Sequence, residues 1–120
     1  VAKNLEISIL LDFYGDMLTE KQREVIEYYY NDDLSLSEIA DNEGITRQGV
    51  RDSIKRAELQ LLEMEERLGL ARRFREMRSG LEKISAAATQ IKEYNEHFIY
   101  SHELEDNTKL ILDIAQKLCE

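Results

Sequence analysis

An all-α fold is what this sequence predicts, on three observations. Proline is absent and glycine occurs five times in 120 residues, so little in the chain interrupts a helix. Apolar residues recur at steps of three and four along most of the length. Charged residues make up 34% of the chain, enough to solvate an outer face on every helix, while clusters of strand-favouring residues are few. At 42% hydrophobic, a chain of this length holds one ordinary domain or a small domain with an appendage.

The first helix runs from Lys3 to about Asp16. Ile7, Leu10, Leu11 and Tyr14 recur at helical spacing, and Leu5, Ile9 and Phe13 widen the apolar face, which predicts burial on much of the circumference. Gly15 lies near its end. Thr19 with Gln22 reads as a capping box that opens a second helix, from Glu20 to about Asn31, with Gln22, Val25, Ile26 and Tyr29 inward. The run Tyr28-Tyr29-Tyr30 cannot share one face, so one or two rings belong at the rim. Asn31-Asp32-Asp33 then ends the helix.

Leu34 to Ala57, LSLSEIADNEGITRQGVRDSIKRA, reads as a helix-turn-helix. Ser35 is placed to cap the third helix with Glu38 closing a capping box, and Leu34 to staple onto Ile39. Gly44 stands where a chain leaving a helix needs a left-handed residue. Thr46 caps the fourth helix, with Ile45 and Val50 as a second staple, so the turn is about three residues long. Ile39, Ile45, Val50 and Ile54 are expected to face inward, and Ala40 and Ser53 are small where helices cross. Glu43 departs from the pattern, because an apolar residue usually closes the small core there.

Beyond Ala57 the fourth helix continues. Val50, Ile54, Ala57, Leu61, Met64 and Leu68 form an uninterrupted seam of fours and threes, and from Leu61 onward that seam is expected to outrun its own domain and need another surface. Leu68-Gly69-Leu70 is the natural break. A fifth helix, 71–97, carries Phe74, Met77, Leu81, Ile84, Ala88 and Ile91 at the same spacing. A sixth, 102–118, places Leu104, Ile111, Ile114 and Leu118 inward, with Leu110 and Ala115 at the edges. The expected architecture is a head of four helices over 1–68 and a helical-hairpin tail over 69–120. Long amphipathic helices hanging from a small head predict a homodimer joined through the tail, the alternative being a tail that folds back on its own head.

The net charge of −9 makes the whole chain a poor general binder of polyanions, so any nucleic-acid contact needs a local basic face. The fourth helix supplies one. From Thr46 to Ala57 four basic residues face one acid, Asp52. Thr46 and its helix N-terminus are expected to hold a phosphate, Arg47, Gln48 and Arg51 to face base edges, and Lys55 and Arg56 to hold the backbone. The competing reading is a motif used only for packing. A second basic cluster, Arg72, Arg73, Arg75 and Arg78, reads better as a solvated face balanced by Glu63, Glu65 and Glu66 than as an RNA surface.

His97, His102 and Cys119 lack metal-ligand spacing, so no metal or other cofactor is expected. No nucleophile is paired with a base and no glycine-rich phosphate loop occurs, which argues against an enzyme. Cys119 is the single cysteine, and no apolar run is long enough to span a bilayer. A cytoplasmic location without membrane insertion is the expectation.

Residues 5–60, with EIADNEGITRQGVRDSIKRA at their centre, resemble region 4 of bacterial sigma factors and the related heads of response regulators. Over nearly its whole length, including LLDFYGDMLTEKQREVIEYYYNDDLSLSEIA, the chain more closely resembles the YlxM-like family. These are small helix-turn-helix proteins of Gram-positive bacteria whose genes lie beside those of the signal recognition particle and its receptor. The resemblance implies a sigma-region-4-like head, a regulatory role and an association with that pathway. Two functions follow as expectations. One is a regulator that binds nucleic acid, DNA or RNA. The other is a non-catalytic adaptor for the particle's GTPase or its receptor, with the helix-turn-helix as scaffold.

Overall fold

A computed structural model describes residues 3–120. Among the described residues there are six α-helices, one short 3-10 turn and no strand. They are α1 (Leu5–Tyr14), the turn Gly15–Met17, α2 (Glu20–Tyr30), α3 (Leu36–Glu43), α4 (Arg47–Leu68), α5 (Leu70–His97) and α6 (His102–Cys119). The fold is all-α. The chain divides into two compact units, a head ending at Ala71 and a tail, Arg72–Glu120.

Side-chain caps set the helix starts in the head. Asn4 accepts the Glu6 N–H at 3.0 Å to open α1, a start that apolar spacing does not announce. Thr19 with Gln22 and Ser35 with Glu38 close both capping boxes, each satisfying donors that the first helical turn leaves unpaired. The α4 helix is the common wall against which α1, α2 and α3 all pack. Two groups of buried side chains result. Ile7, Leu10 and Tyr14 of α1 meet Ile26 and, on α4, Ala57 and Leu61. Val25 and Tyr29 of α2 meet Ile39, Val50 and Ile54. Tyr28 and Tyr30 are the rim rings, and Tyr30 meets Tyr29 edge to face at 5.3 Å.

Three expectations for the head need correction. Leu61 does not reach beyond the domain: it is fully buried, because α1 lies along α4 and covers the seam that far, with Met64 partly covered. The face of α1 is narrower than the apolar residues suggest, since Leu5 and Ile9 are exposed. A helix packed against one wall presents one stripe, and residues beside it stay wet. Ile45 is 43% exposed, because a three-residue turn carries it around the outside of the corner while Val50 takes the core position.

The end of α4 is held by a polar knot. Gly69 adopts φ 63°, the left-handed cap that ends the helix, and its N–H bonds the Glu65 carbonyl. The Tyr14 hydroxyl donates to Glu65 Oε1 at 2.7 Å and accepts the Leu70 N–H, while Glu65 Oε1 also accepts the Ala71 N–H. Burial, then the hydrogen bond to Glu65, raises the Tyr14 pKa. Burial and a hydrogen bond donated to Glu58 push Tyr30 up to about 12. Because the unfolded phenol ionises near 10, the stability that Tyr30 contributes is whole below pH 10 and lost as pH rises toward 12. Alkaline titration followed by circular dichroism should therefore show the head losing stability between pH 10 and 12, and Tyr30→Phe should flatten that loss.

In the tail, α5 from Arg72 and α6 form a helical hairpin. The Asn95 side chain fixes the bend by donating to the Ser101 carbonyl at 2.9 Å and accepting its N–H at 2.7 Å. Lys92 reaches Glu105 across the hairpin at 3.1 Å. The covered residues are small or polar: Ala88, Asn95, Thr108 and Ala115, with Leu81 and Leu112 half-buried. Leu104, Ile111, Ile114 and Leu118, expected inward, are instead 41–56% exposed, and Ala115, expected at an edge, is buried. Two helices alone cover only the line where they face each other, and large apolar residues one step to the side stand clear of it.

Candidate nucleic-acid interface

The turn between α3 and α4 is Gly44-Ile45-Thr46. Gly44 sits at φ 68° and ψ 32°, and both its N–H and that of Ile45 bond the Ala40 carbonyl, which closes α3. A β-branched side chain at that φ would be strained, so the glycine permits the corner. Glu43, the sequence's departure from an apolar pattern, is accommodated by an ion pair. Its side chain is 5% exposed and Oε2 lies 2.6 Å from Lys21 Nζ on α2. That pairing raises the Lys21 pKa. The carboxylate thus tethers α2 to the end of α3, in place of an apolar contact.

Thr46 caps α4, its hydroxyl oxygen accepting the Gly49 N–H at 3.0 Å. The first turn of α4 leaves its remaining N–H groups directed out of the helix start, and Arg47 and Gln48 beside them are exposed. Val50, Ile54 and Ala57 are buried, so the opposite side of α4 is the side that faces out. Arg51 is half-buried. It lines a narrow recess with Tyr29, Leu36, Ile54, Lys55 and Glu58. Arg47, Gln48, Arg51 and Leu36 surround an open notch of about 310 Å³ between the start of α3 and α4.

Six side chains were expected to form this surface; Thr46, Arg47, Gln48, Lys55 and Arg56 are exposed and Arg51 is half-buried, and the nine positions between Arg47 and Arg56 set those two on opposite sides of α4. Arg47, Arg51, Lys55 and Arg56 take part in no salt bridge among the described residues. Acidic neighbours are engaged elsewhere: Asp52 accepts from Gln48 Nε2 at 3.0 Å, and Glu58 accepts the Tyr30 hydroxyl at 3.0 Å. The first bond costs the surface something, because Gln48 must leave Asp52 before its amide reaches a base. Leu36 is the residue that sequence reasoning left out. It stands at the first position of α3, beside the arginines, and its placement follows from tertiary packing rather than any local signal.

No helix among the described residues is long and apolar enough to cross a membrane, and no group of three or more His, Cys, Asp or Glu side chains among them is placed to hold a metal ion. A family model described as "Putative helix-turn-helix protein, YlxM / p13 like" matches residues 1–118. Among similar proteins, a UPF0122 protein of Thermoanaerobacter pseudethanolicus is 48% identical over 89 residues, 74% of this chain and 76% of its own. One from Caldanaerobacter subterraneus is 51% identical over 80 residues, 67% of this chain and 68% of its own. One from Acetivibrio thermocellus is 39% identical over 118 residues, 98% of this chain and 95% of its own.

Proposed function

The chain belongs to the UPF0122 family of YlxM/p13-like helix-turn-helix proteins, and on that premise we propose that it is a non-catalytic, cytoplasmic regulator that binds double-stranded DNA through α4. The observation that carries this reading is the set of four cations, Arg47, Arg51, Lys55 and Arg56, without a salt-bridge partner among the described residues. The surrounding head is acidic, with sixteen acids against eight bases over residues 3–71. Cations left unpaired among so many carboxylates are available to an external anion. The major groove of DNA admits a helix carrying such side chains, whereas the deep, narrow groove of duplex RNA does not.

In this reading Arg47 and Arg51 address base edges or phosphates from the first turns of α4. Lys55 and Arg56 hold the backbone one turn further on, and Thr46 with the helix N-terminus receives a phosphate. A homodimer joined through the tail offers two such ridges to two half-sites. The setting we propose is the signal recognition particle pathway, on the family resemblance alone. A second reading, an adaptor for the particle's GTPase or its receptor, draws on the acidic surface of the head, which suits a basic protein partner.

A salt titration separates the two. With four phosphate contacts per head, log K for duplex DNA should fall against log salt with a slope of about −3 to −4 for one bound head and about −7 for a dimer with both heads bound, at roughly −0.9 per phosphate. Fluorescence anisotropy between 50 and 200 mM salt reads it. Absence of binding to mixed-sequence and genomic duplex at 50 mM would remove the DNA reading and leave the adaptor.

A further inference from the structure

The tail carries an apolar face that nothing in its own hairpin covers. On α5, Ile84, Ala87, Ile91 and Tyr94 form a stripe beside the buried line of Ala88 and Asn95, and on α6 Leu104, Ile111 and Leu118 do the same beside Thr108 and Ala115. Ile84, Ile91, Tyr94 and the three α6 residues are 41–59% exposed. The stripes share one side of the hairpin, since a groove of about 460 Å³ is lined jointly by Ala87, Ile91, Tyr94 and Leu104.

We infer that this face is covered by the same face of a second copy in antiparallel register, with each α5 crossing its mate at Ala87. The inference rests on the tail-joined dimer proposed above and adds its geometry. Three observations select it.

The first is charge. Residues 72–83, at one end of the hairpin, hold five basic and two acidic side chains, whereas residues 92–106, at the other, hold one basic and five acidic. Parallel pairing stacks like upon like at both ends. Antiparallel pairing lays the basic end of each copy on the acidic end of the other.

The second is shape. Reversal about Ala87 brings Tyr94 of one α5 opposite Gly80 of its mate, each seven positions from the centre. Gly80 has room for a larger group, since a Cβ there would meet nothing within 4 Å, and Tyr94 is 59% exposed. On α6, Leu104 and Leu118 are likewise each seven positions from Ile111, so leucine meets leucine and Ile111 meets itself.

The third is size. Over the 18 residues of α6 the face is about 27 Å long, and two helices make it about 20 Å wide. Two such faces bury on the order of 1,000 Å² in projection, the lower bound for a stable interface.

Spin labels on a Glu76→Cys, Cys119→Ser chain test the register by dipolar distance. Glu76 is exposed and eleven positions from Ala87, so antiparallel copies hold the labels about 33 Å apart, and parallel copies hold them under about 20 Å. A short distance overturns the register while leaving a dimer. A monomeric mass by sedimentation at 100 μM overturns the second copy as occupant, and the dimer reading with it. Gly80→Leu should weaken dimerisation at least tenfold by filling the seat of Tyr94, and adding Tyr94→Ala should restore it. An unchanged dimerisation constant for Gly80→Leu would overturn the crossing at Ala87.

Discussion

Leu61→Ala is expected to destabilise the head by about 2–5 kcal/mol, the range for removing a fully buried leucine whose surroundings cannot close over the gap. Leu61 is 0% exposed and lies among Ile7, Leu10, Tyr14, Ala57 and Ala71, which come from both ends of the head. The α1 backbone cannot move in to fill the space without disturbing Tyr14. That ring is pinned through its hydroxyl to Glu65 and Leu70. A domain of this size has a total stability of about 5–15 kcal/mol, so the variant should lose a large share of it. Urea unfolding followed by circular dichroism would show a lower midpoint with an unchanged slope. If Leu61 instead stood on a protruding seam, as periodicity alone suggests, the same substitution would cost a monomeric head under about 1 kcal/mol.

That contrast marks what apolar spacing can convey. It told which side of α4 is apolar along its whole length, but not how far α1 would extend to cover it, because the packing joins residues about fifty positions apart. The helix starts were legible where a cap and its reciprocal partner lie three residues apart, as at Thr19 and Ser35. Gly44 and Gly69 were legible as corners because a positive φ is costly for other residues. The tail shows the opposite limit. Its helices were evident, yet on α6 the expected inward face proved to be the open one, since a strong apolar stripe does not reveal which neighbour it awaits. The lining of the hairpin combines Ala88, which the α5 spacing includes, with Asn95 and Thr108, which spacing arguments pass over.

The α4 surface was legible for a different reason. Its cap, turn and exposed cations are all local, spanning Gly44 to Arg56, so sequence order and spatial order coincide. What spacing did not supply is the partnering of the acids. Glu43 finds Lys21, twenty-two residues earlier, and Glu58 finds Tyr30, twenty-eight earlier. These distant pairings occupy both carboxylates, although Glu58 still lines the recess that Arg51 and Lys55 share. An electrostatic surface depends on where charges of both signs end up, and only one sign was readable from the local pattern.

Arg47→Ala with Arg51→Ala should reduce affinity for duplex DNA by about 2–6 kcal/mol, roughly thirtyfold to more than 10⁴-fold, taking 1–3 kcal/mol for each arginine removed. The salt slope should shrink by about two per bound head if both side chains hold phosphates, and stay nearly constant while sequence preference relaxes if both read bases. The head should remain folded. Arg47 is exposed, and Arg51 contributes only the side of a recess whose buried members are Tyr29 and Ile54. Removing two positive charges from a chain of net charge −9 weakens attraction to any polyanion, so the comparison needs a charge-matched control. Lys109→Ala with Lys117→Ala removes the same charge from the exposed part of α6. If α4 is the binding surface, this control should cost under tenfold. Equal losses in the two double variants would mean that net charge, not the ridge on α4, governs binding.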